Sequence, residues 1–153
     1  GESYIWPGES KYIILGGINL SENPVKTELQ FGEPFTLNEP VIWSEIKNFN
    51  GIDLTLENVN YGQEKTGSGK FFSVNSTASN NTPYDLNKVY VSAIVLDKDE
   101  LPIAVASTLL ENLKSKERRQ FSIPWFSSFP GVPNIIDLTI TSNLWETPSL
   151  IGQ

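Results

Sequence analysis

The stretch Val89-Tyr90-Val91-Ser92-Ala93-Ile94-Val95-Leu96, followed by Asp97-Lys98-Asp99-Glu100 and then by Leu101-Pro102-Ile103-Ala104-Val105-Ala106-Ser107-Thr108-Leu109-Leu110, decides how this chain is read. The first run is apolar on both faces and rich in β-branched residues, as a strand at the centre of a sheet is. Four charged residues then form the tip of a tight turn, where Asp serves by hydrogen-bonding its own backbone. The second run returns with β-branched residues. Strand, short polar turn and strand make a β-hairpin.

Outward from this hairpin the same signals recur. Ile52, Leu54 and Leu56 alternate with Asp53, Thr55 and Glu57, the pattern of a half-buried strand. Residues 70–79 carry Phe72 and Val74, and residues 119–125 and 135–141 complete the series downstream. Upstream, residues 11–20 place Ile13 and Leu15 on one face, and residues 26–31 turn Leu29 and Phe31 inward. Strands at intervals of about ten residues, with turn signals between them, point to an antiparallel β-sandwich.

Helical signals are poor. Ten Pro and eleven Gly interrupt most windows. Residues 42–49 allow one or two helical turns, and residues 107–115 tolerate a short helix. Residues 62–70, with Gly62, Gly67 and Gly69, read as a flexible loop. That loop lacks the Gly-Lys-Ser/Thr ending that cradles phosphate. Residues 75–81 form another polar stretch leading into Pro83.

The 153 residues include no His, Cys or Met, which removes Ser-His-Asp and Cys-His triads, zinc fingers, haem His ligands and disulfide frameworks. The apolar fraction of 39% suits a packed core. A net charge of −7 disfavours nucleic acid, which needs clustered Lys and Arg. The basic cluster Lys114, Lys116, Arg118 and Arg119 is bracketed by Glu111 and Glu117 and reads as a solvated turn and strand start. No segment approaches the ~18 apolar residues of a membrane span. With Gly1 in place of an initiator Met, the chain reads as a trimmed piece of a longer precursor.

A weak repeat relates Pro7-Gly8-Glu9-Ser10-Lys11-Tyr12-Ile13 to Ser115-Lys116-Glu117-Arg118-Arg119-Gln120-Phe121, with Pro24 and Trp43 answering to Pro133 and Trp145. Lys116 falls where the first copy has Gly8, a position that favours positive φ, so a different turn is expected there. Residues 1–40 read as the terminal strands of a partial module, 41–50 as a connector, 51–147 as a complete module and 148–153 as a tail.

The run from Asn80 to Trp125 resembles the FxLYD-type immunoglobulin-like domain, and most of the chain is similar to the membrane-anchored tandem-domain proteins of candidate-phyla bacteria. The matching pieces are Tyr4-Ile5-Trp6-Pro7-Gly8-Glu9, Val95-Leu96-Asp97, Leu101-Pro102-Ile103-Ala104, Glu117-Arg118-Arg119-Gln120-Phe121, Trp125, Phe129-Pro130-Gly131 and Thr141-Ser142-Asn143. Of the motif itself only Asp97 is retained. The resemblance implies an all-β, immunoglobulin-like antiparallel β-sandwich, with an N-terminal pair of strands from a preceding similar module. It also implies an extracytoplasmic, cell-surface or membrane-anchored setting, with anchoring through a span outside this chain. Its motifs are turns and core positions, so they identify a fold and not a chemistry.

Each candidate site has a structural alternative. Asp97, Asp99 and Glu100 offer oxygen ligands to calcium, but four residues fall short of a twelve-residue loop. Paired carboxylates suit glycoside hydrolysis only at a close separation in a cleft. Trp6, Trp43, Trp125, Trp145, Tyr4, Tyr12 and Tyr61 could stack on sugars. Trp125 reads as core, whereas Phe126 and Phe129 beside it are harder to bury together, and an exposed patch there would mark an interface. Asn19, Asn75 and Asn80 begin glycosylation-like triplets that read as accidental. Lys88 is the residue to inspect for an isopeptide cross-link, which needs a buried Lys. The expected role is non-catalytic and without a cofactor: a surface module for a protein partner or self-association through exposed strand edges. The alternatives are a carbohydrate-binding sandwich, with Trp125 and Trp145 as its aromatics, and a filament subunit assembled by strand addition.

Overall fold

The structure, a computed structural model, describes residue 14, residues 53–67 and residues 69–142. The partial module 1–40, the connector 41–50, Trp6, Trp43, Trp145 and the tail lie outside the described residues. Within them the chain is all-β, with six antiparallel strands and no helix. The strands are β1 (Leu54–Thr66), β2 (Gly69–Asn80), β3 (Leu86–Leu96), β4 (Pro102–Leu113), β5 (Arg118–Trp125) and β6 (Ile135–Ser142).

They form two sheets, ordered β1-β2-β5 and β4-β3-β6. Alternation along each strand sends one set of side chains into the space between the sheets. Ala78 and Ile123 from the first sheet meet Val89, Val91, Ala93 and Leu110 from the second in one buried cluster. The two sheets therefore share a core and form a β-sandwich. β3 is its centre, as expected: Val89, Val91, Ala93 and Val95 on its inward face are fully buried, and on its other face Ile94 is buried too.

The 97–100 turn forms as expected. The Glu100 amide donates to the Asp97 carbonyl at 3.1 Å, and the Asp97 amide donates to Leu101 O at 3.0 Å. Glu100 takes φ 60°, the left-handed residue that closes such a hairpin loop.

Three expectations are corrected. Residues 62–66 and 69–70 are strand and not loop: β1 runs on to Thr66, which pairs with Gly69, so Gly62 and Gly69 lie within the ladder. Cross-strand pairing overrides their local preference for turns. The strand expected over residues 70–79 forms as β2, its polar residues included, with partners on both sides. Residues 107–113 are strand rather than helix, paired with β3 as far as Leu113. Lys116 does adopt positive φ, 60°, in place of a different turn. The Glu117 amide closes that turn on Lys114 O at 3.0 Å, and the Lys116 ammonium donates to the Asn81 carbonyl.

Three of the strands at sheet edges among the described residues carry features that obstruct further pairing. β1 has one extra residue opposite Ser76, with Asn58 at φ 55°, a β-bulge. β5 contains Pro124 and β4 starts at Pro102, and proline is confined to such edge positions.

Candidate functional site

The strand directions give the sandwich two ends. One end gathers the 81–85 connection and the 114–117 turn. The other gathers the β1–β2 tip, the 97–101 turn and the 126–134 loop.

The first end is a closed polar network. Asn80 is fully buried, and its Nδ2 donates to the carbonyls of Tyr84 at 2.7 Å, Lys114 at 3.0 Å and Leu113 at 3.2 Å. Its Oδ1 accepts from the Thr82 hydroxyl at 2.6 Å and the Thr82 amide at 3.0 Å. Asp85 accepts from Lys114 Nζ and from the Ser115 amide, both at 2.9 Å. These bonds, the Lys114 side chain first, hold the Asp85 carboxyl below its ordinary range. Glu117 is likewise held low, chiefly by the Lys114 amide at 2.7 Å and then by Arg119. The basic cluster is thus absorbed around the turn: Arg119 pairs with the bracketing Glu117, but Arg118 pairs with Glu57 and Lys114 with Asp85, both distant in sequence. Asn80 has no free amide for modification, and Asn75 donates to Glu64 at 2.8 Å. Lys88 is exposed on β3, which contradicts the buried lysine that an isopeptide requires.

The opposite end is apolar and open. The chain leaves β5 at Trp125 and crosses to β6 through residues 126–134. The Asn134 amide anchors the crossing on Leu96 O at 2.9 Å. A Cβ at Gly131 would come within 3.3 Å of Ile103 Cγ2, so the loop lies tightly against the start of β4. Phe129 turns inward and caps the core, edge-on to Phe72 at 5.1 Å and to Trp125 at 6.0 Å. Trp125 packs against the core cluster as expected. Its Nε1 is the one buried side-chain polar atom without a partner among the described residues.

The patch proposed at Trp125, Phe126 and Phe129 therefore divides. Trp125 packs against the core and Phe129, half-buried, packs on Trp125 and Phe72, while Phe126 is 79% exposed and leans on Phe71 at 5.5 Å. Val132 at 81% and Leu101 at 60% join it at the same end. Between the β1–β2 tip and the loop runs a groove of about 450 Å³, lined by Gln63, Lys70, Phe71, Phe126, Ser128 and Val132 among others.

The calcium candidates have other partners. Asp97 Oδ1 accepts from the amides of Asp99 and Leu101, both at 2.9 Å, and Asp99 Oδ2 pairs with Lys98 Nζ at 2.6 Å. Among the described residues no group of three or more acids is placed to hold a metal.

Val132, Leu101 and the lysines of the tip were missed by sequence reasoning. Val132 stands alone between Gly131 and Pro133, an isolated apolar residue in a turn-forming run, which is the only signal it offers. Lys65 and Lys70 gain meaning from a register that local composition concealed.

No protein-family model matches the chain, and no curated protein matches it. Among solved structures, the chain is similar to the crystal structure of a DUF1425 family member from Shewanella sp. pv-4. The identity is 12% and the TM-score 0.42, over 63% of this chain and 85% of that one. A likeness at that level carries no functional argument.

Proposed function

We propose that this chain is a non-catalytic extracytoplasmic or cell-surface module that binds a protein partner through its open apolar end. The observation that carries this reading is the exposure of Phe126 and Val132 beside a formed groove. Large apolar side chains clustered on a surface mark an interaction site, whereas single scattered ones need no explanation.

Several features support it over the alternatives. A sugar platform asks for two coplanar exposed aromatics, but Phe71 and Phe126 are tilted by 38°. General acid catalysis asks for a carboxyl raised toward neutrality. The shifted carboxyls here, Glu64, Asp85 and Glu117, all move down. The bulge at Asn58 and the prolines of β4 and β5 disfavour strand addition at those edges.

An immunoglobulin-like assignment is part of this proposal. Lettered in chain order, the sheets read A-B-E and D-C-F. The A-B-E and C-F neighbours are those of the immunoglobulin sandwich, with the fourth strand moved beside the third. That arrangement fits the FxLYD resemblance without its motif.

The test is a selection of binders from a displayed peptide library against the immobilised chain. Binders should converge on the open end, losing binding on Phe126→Asp and keeping it on Lys116→Glu. Binders indifferent to Phe126→Asp and sensitive to Lys116→Glu would overturn the reading.

A further inference from the structure

We infer that the outer face of the β1-β2-β5 sheet binds a neutral carbohydrate chain, in a groove whose carboxamides and hydroxyls take the sugar hydroxyls. This is a second site, beyond the open apolar end, and it needs no stacked aromatics.

The register assembles the groove. Ala78 lies in the buried cluster between the sheets, so alternation turns Asn75 and Thr77 to the outer face. Asn60 and Ser122 flank Asn75 as its cross-strand partners, and Gln120 stands opposite Thr77. Opposed residues share a face. The bulge opposite Ser76 brings Asn58 to the rim at φ 55°. Four carboxamides, of Asn58, Asn60, Asn75 and Gln120, thereby line one groove of about 710 Å³. It shares no lining residue with the groove at the open end. Along β2, Asn75 is about 10 Å from Phe72.

The chemistry of the lining selects the ligand. It contains no charged side chain, in a chain with 18 acidic and 11 basic residues. An ordinary solvated strand face differs: on β3 and β4 the exposed Lys88 and Glu111 stand opposite each other. Phe121, the apolar residue of the lining, packs against the core. A carboxamide offers two donors and an acceptor, and a hydroxyl both donates and accepts, as each sugar hydroxyl does. The centre of a protein interface asks instead for aromatic side chains and Arg, and nucleic acid asks for cations. Arg118, one row further along, is already paired with Glu57. The Glu64 carboxylate beside Asn75 disfavours an anionic sugar.

Hydrogen-bonding capacity in the groove is partly free and partly pre-set. The side chains of Asn58, Asn60, Gln120 and Ser122 bond to no other described residue. Asn75 is fixed: its Nδ2 donates to Glu64 Oε1 at 2.8 Å and to Ser73 Oγ at 3.1 Å, and the Ser73 hydroxyl donates to the same Glu64 oxygen. A carboxylate only accepts, so the Asn75 nitrogen must face it and Oδ1 is left as a ready acceptor. Glu64 is thus a positioning residue for Asn75.

The test titrates the isotope-labelled chain, followed by NMR, with neutral hexasaccharides of glucose, mannose, galactose and xylose, and with hexagalacturonic acid as the charged comparison. At least one neutral chain should shift the side-chain amides of Asn60, Asn75 and Gln120, independently of salt. Hexagalacturonic acid should bind more weakly. Asn60→Ala and Gln120→Ala should each weaken binding roughly three- to tenfold at unchanged Tm, the loss of one neutral hydrogen bond. Glu64→Ala should also weaken it, and Glu64→Gln, which keeps an acceptor for Asn75, should restore it. Phe126→Asp should leave it unchanged. No shift with any neutral chain, tighter binding of the acid, or binding that survives Asn60→Ala and Gln120→Ala together overturns the inference and leaves the open apolar end as proposed. Sugar binding lost on Phe126→Asp instead would overturn both this site and the protein-partner reading of that end.

Discussion

The two ends of the sandwich solve the same problem in opposite ways. At each end the chain must reverse and cross between strands. At the Asn80 end the reversal is sealed by polar side chains: a fully buried amide serves three carbonyls, and Asp85 and Glu117 each accept from backbone and side-chain donors. At the Phe126 end it is sealed by one inward aromatic, Phe129, and apolar groups remain in solvent. Buried polar networks specify a single arrangement, because an unsatisfied partner is costly. Exposed apolar groups contribute little to folding stability. One end therefore carries stability, the other is the one proposed for recognition, and substitutions should separate the two.

The largest effect is expected at the sealed end. Asn80→Ala strands several buried carbonyls and should cost about 3 kcal/mol in denaturant unfolding. A loss below about 1 kcal/mol would remove the contrast. Phe129→Ala opens the base of the core and should cost about 2 kcal/mol, less than a fully enclosed Phe because Phe129 is half-buried.

Titration probes the sealed end again. Glu117 and Asp85 are held below their ordinary values of 4.5 and 3.8 by the donors around them. As pH falls, the unfolded chain takes up these protons first, so the stabilisation is complete at neutral pH. It fades below about 4.5 and is gone once the depressed folded values are passed. Glu117→Gln should lower Tm at pH 7 and not at strongly acidic pH. A deficit independent of pH would assign the residue a packing role.

Smaller effects belong to the open end. Lys65→Glu should gain about 0.2–1 kcal/mol of stability in denaturant unfolding, by turning a repulsive cross-strand pair into an attractive one. Phe126→Ala should leave stability within about 0.5 kcal/mol and abolish binding. A large destabilisation by Phe126→Ala would place that ring in the core and erase the distinction between the ends.

Much of the sealed end was legible. The basic cluster read as a solvated turn, and Asp97 at a tight turn announced hydrogen bonds to its own backbone. Of the two bracketing acids only Glu117 became a partner, while Asp85 and Glu57 came from segments distant in sequence. The central position of β3 followed from its two apolar faces. The open end was legible only in part. Phe126 and Phe129 are adjacent aromatics that one strand end cannot bury together, but which one would turn inward depends on the path of the loop. Residues 62–70 misled because glycine and serine signal turns locally, whereas a paired neighbour supplies hydrogen bonds that no local rule counts. Lys116 misled for a similar reason. A left-handed conformation is costly for lysine in isolation, but here the turn is held by Glu117 and the side chain reaches Asn81.

By itself, the sequence determined what composition and alternation can: an all-β chain, a central strand at residues 89–96, a hairpin tip at 97–100, and no histidine or cysteine chemistry. Tertiary structure decided how far the strands extend, which strand pairs with which, and which of two neighbouring phenylalanines faces solvent. It also set Lys65 opposite Lys70. The division has a physical cause. Periodicity is written residue by residue, whereas register, burial and the charge of a groove arise from strands distant in sequence, and no single segment contains them.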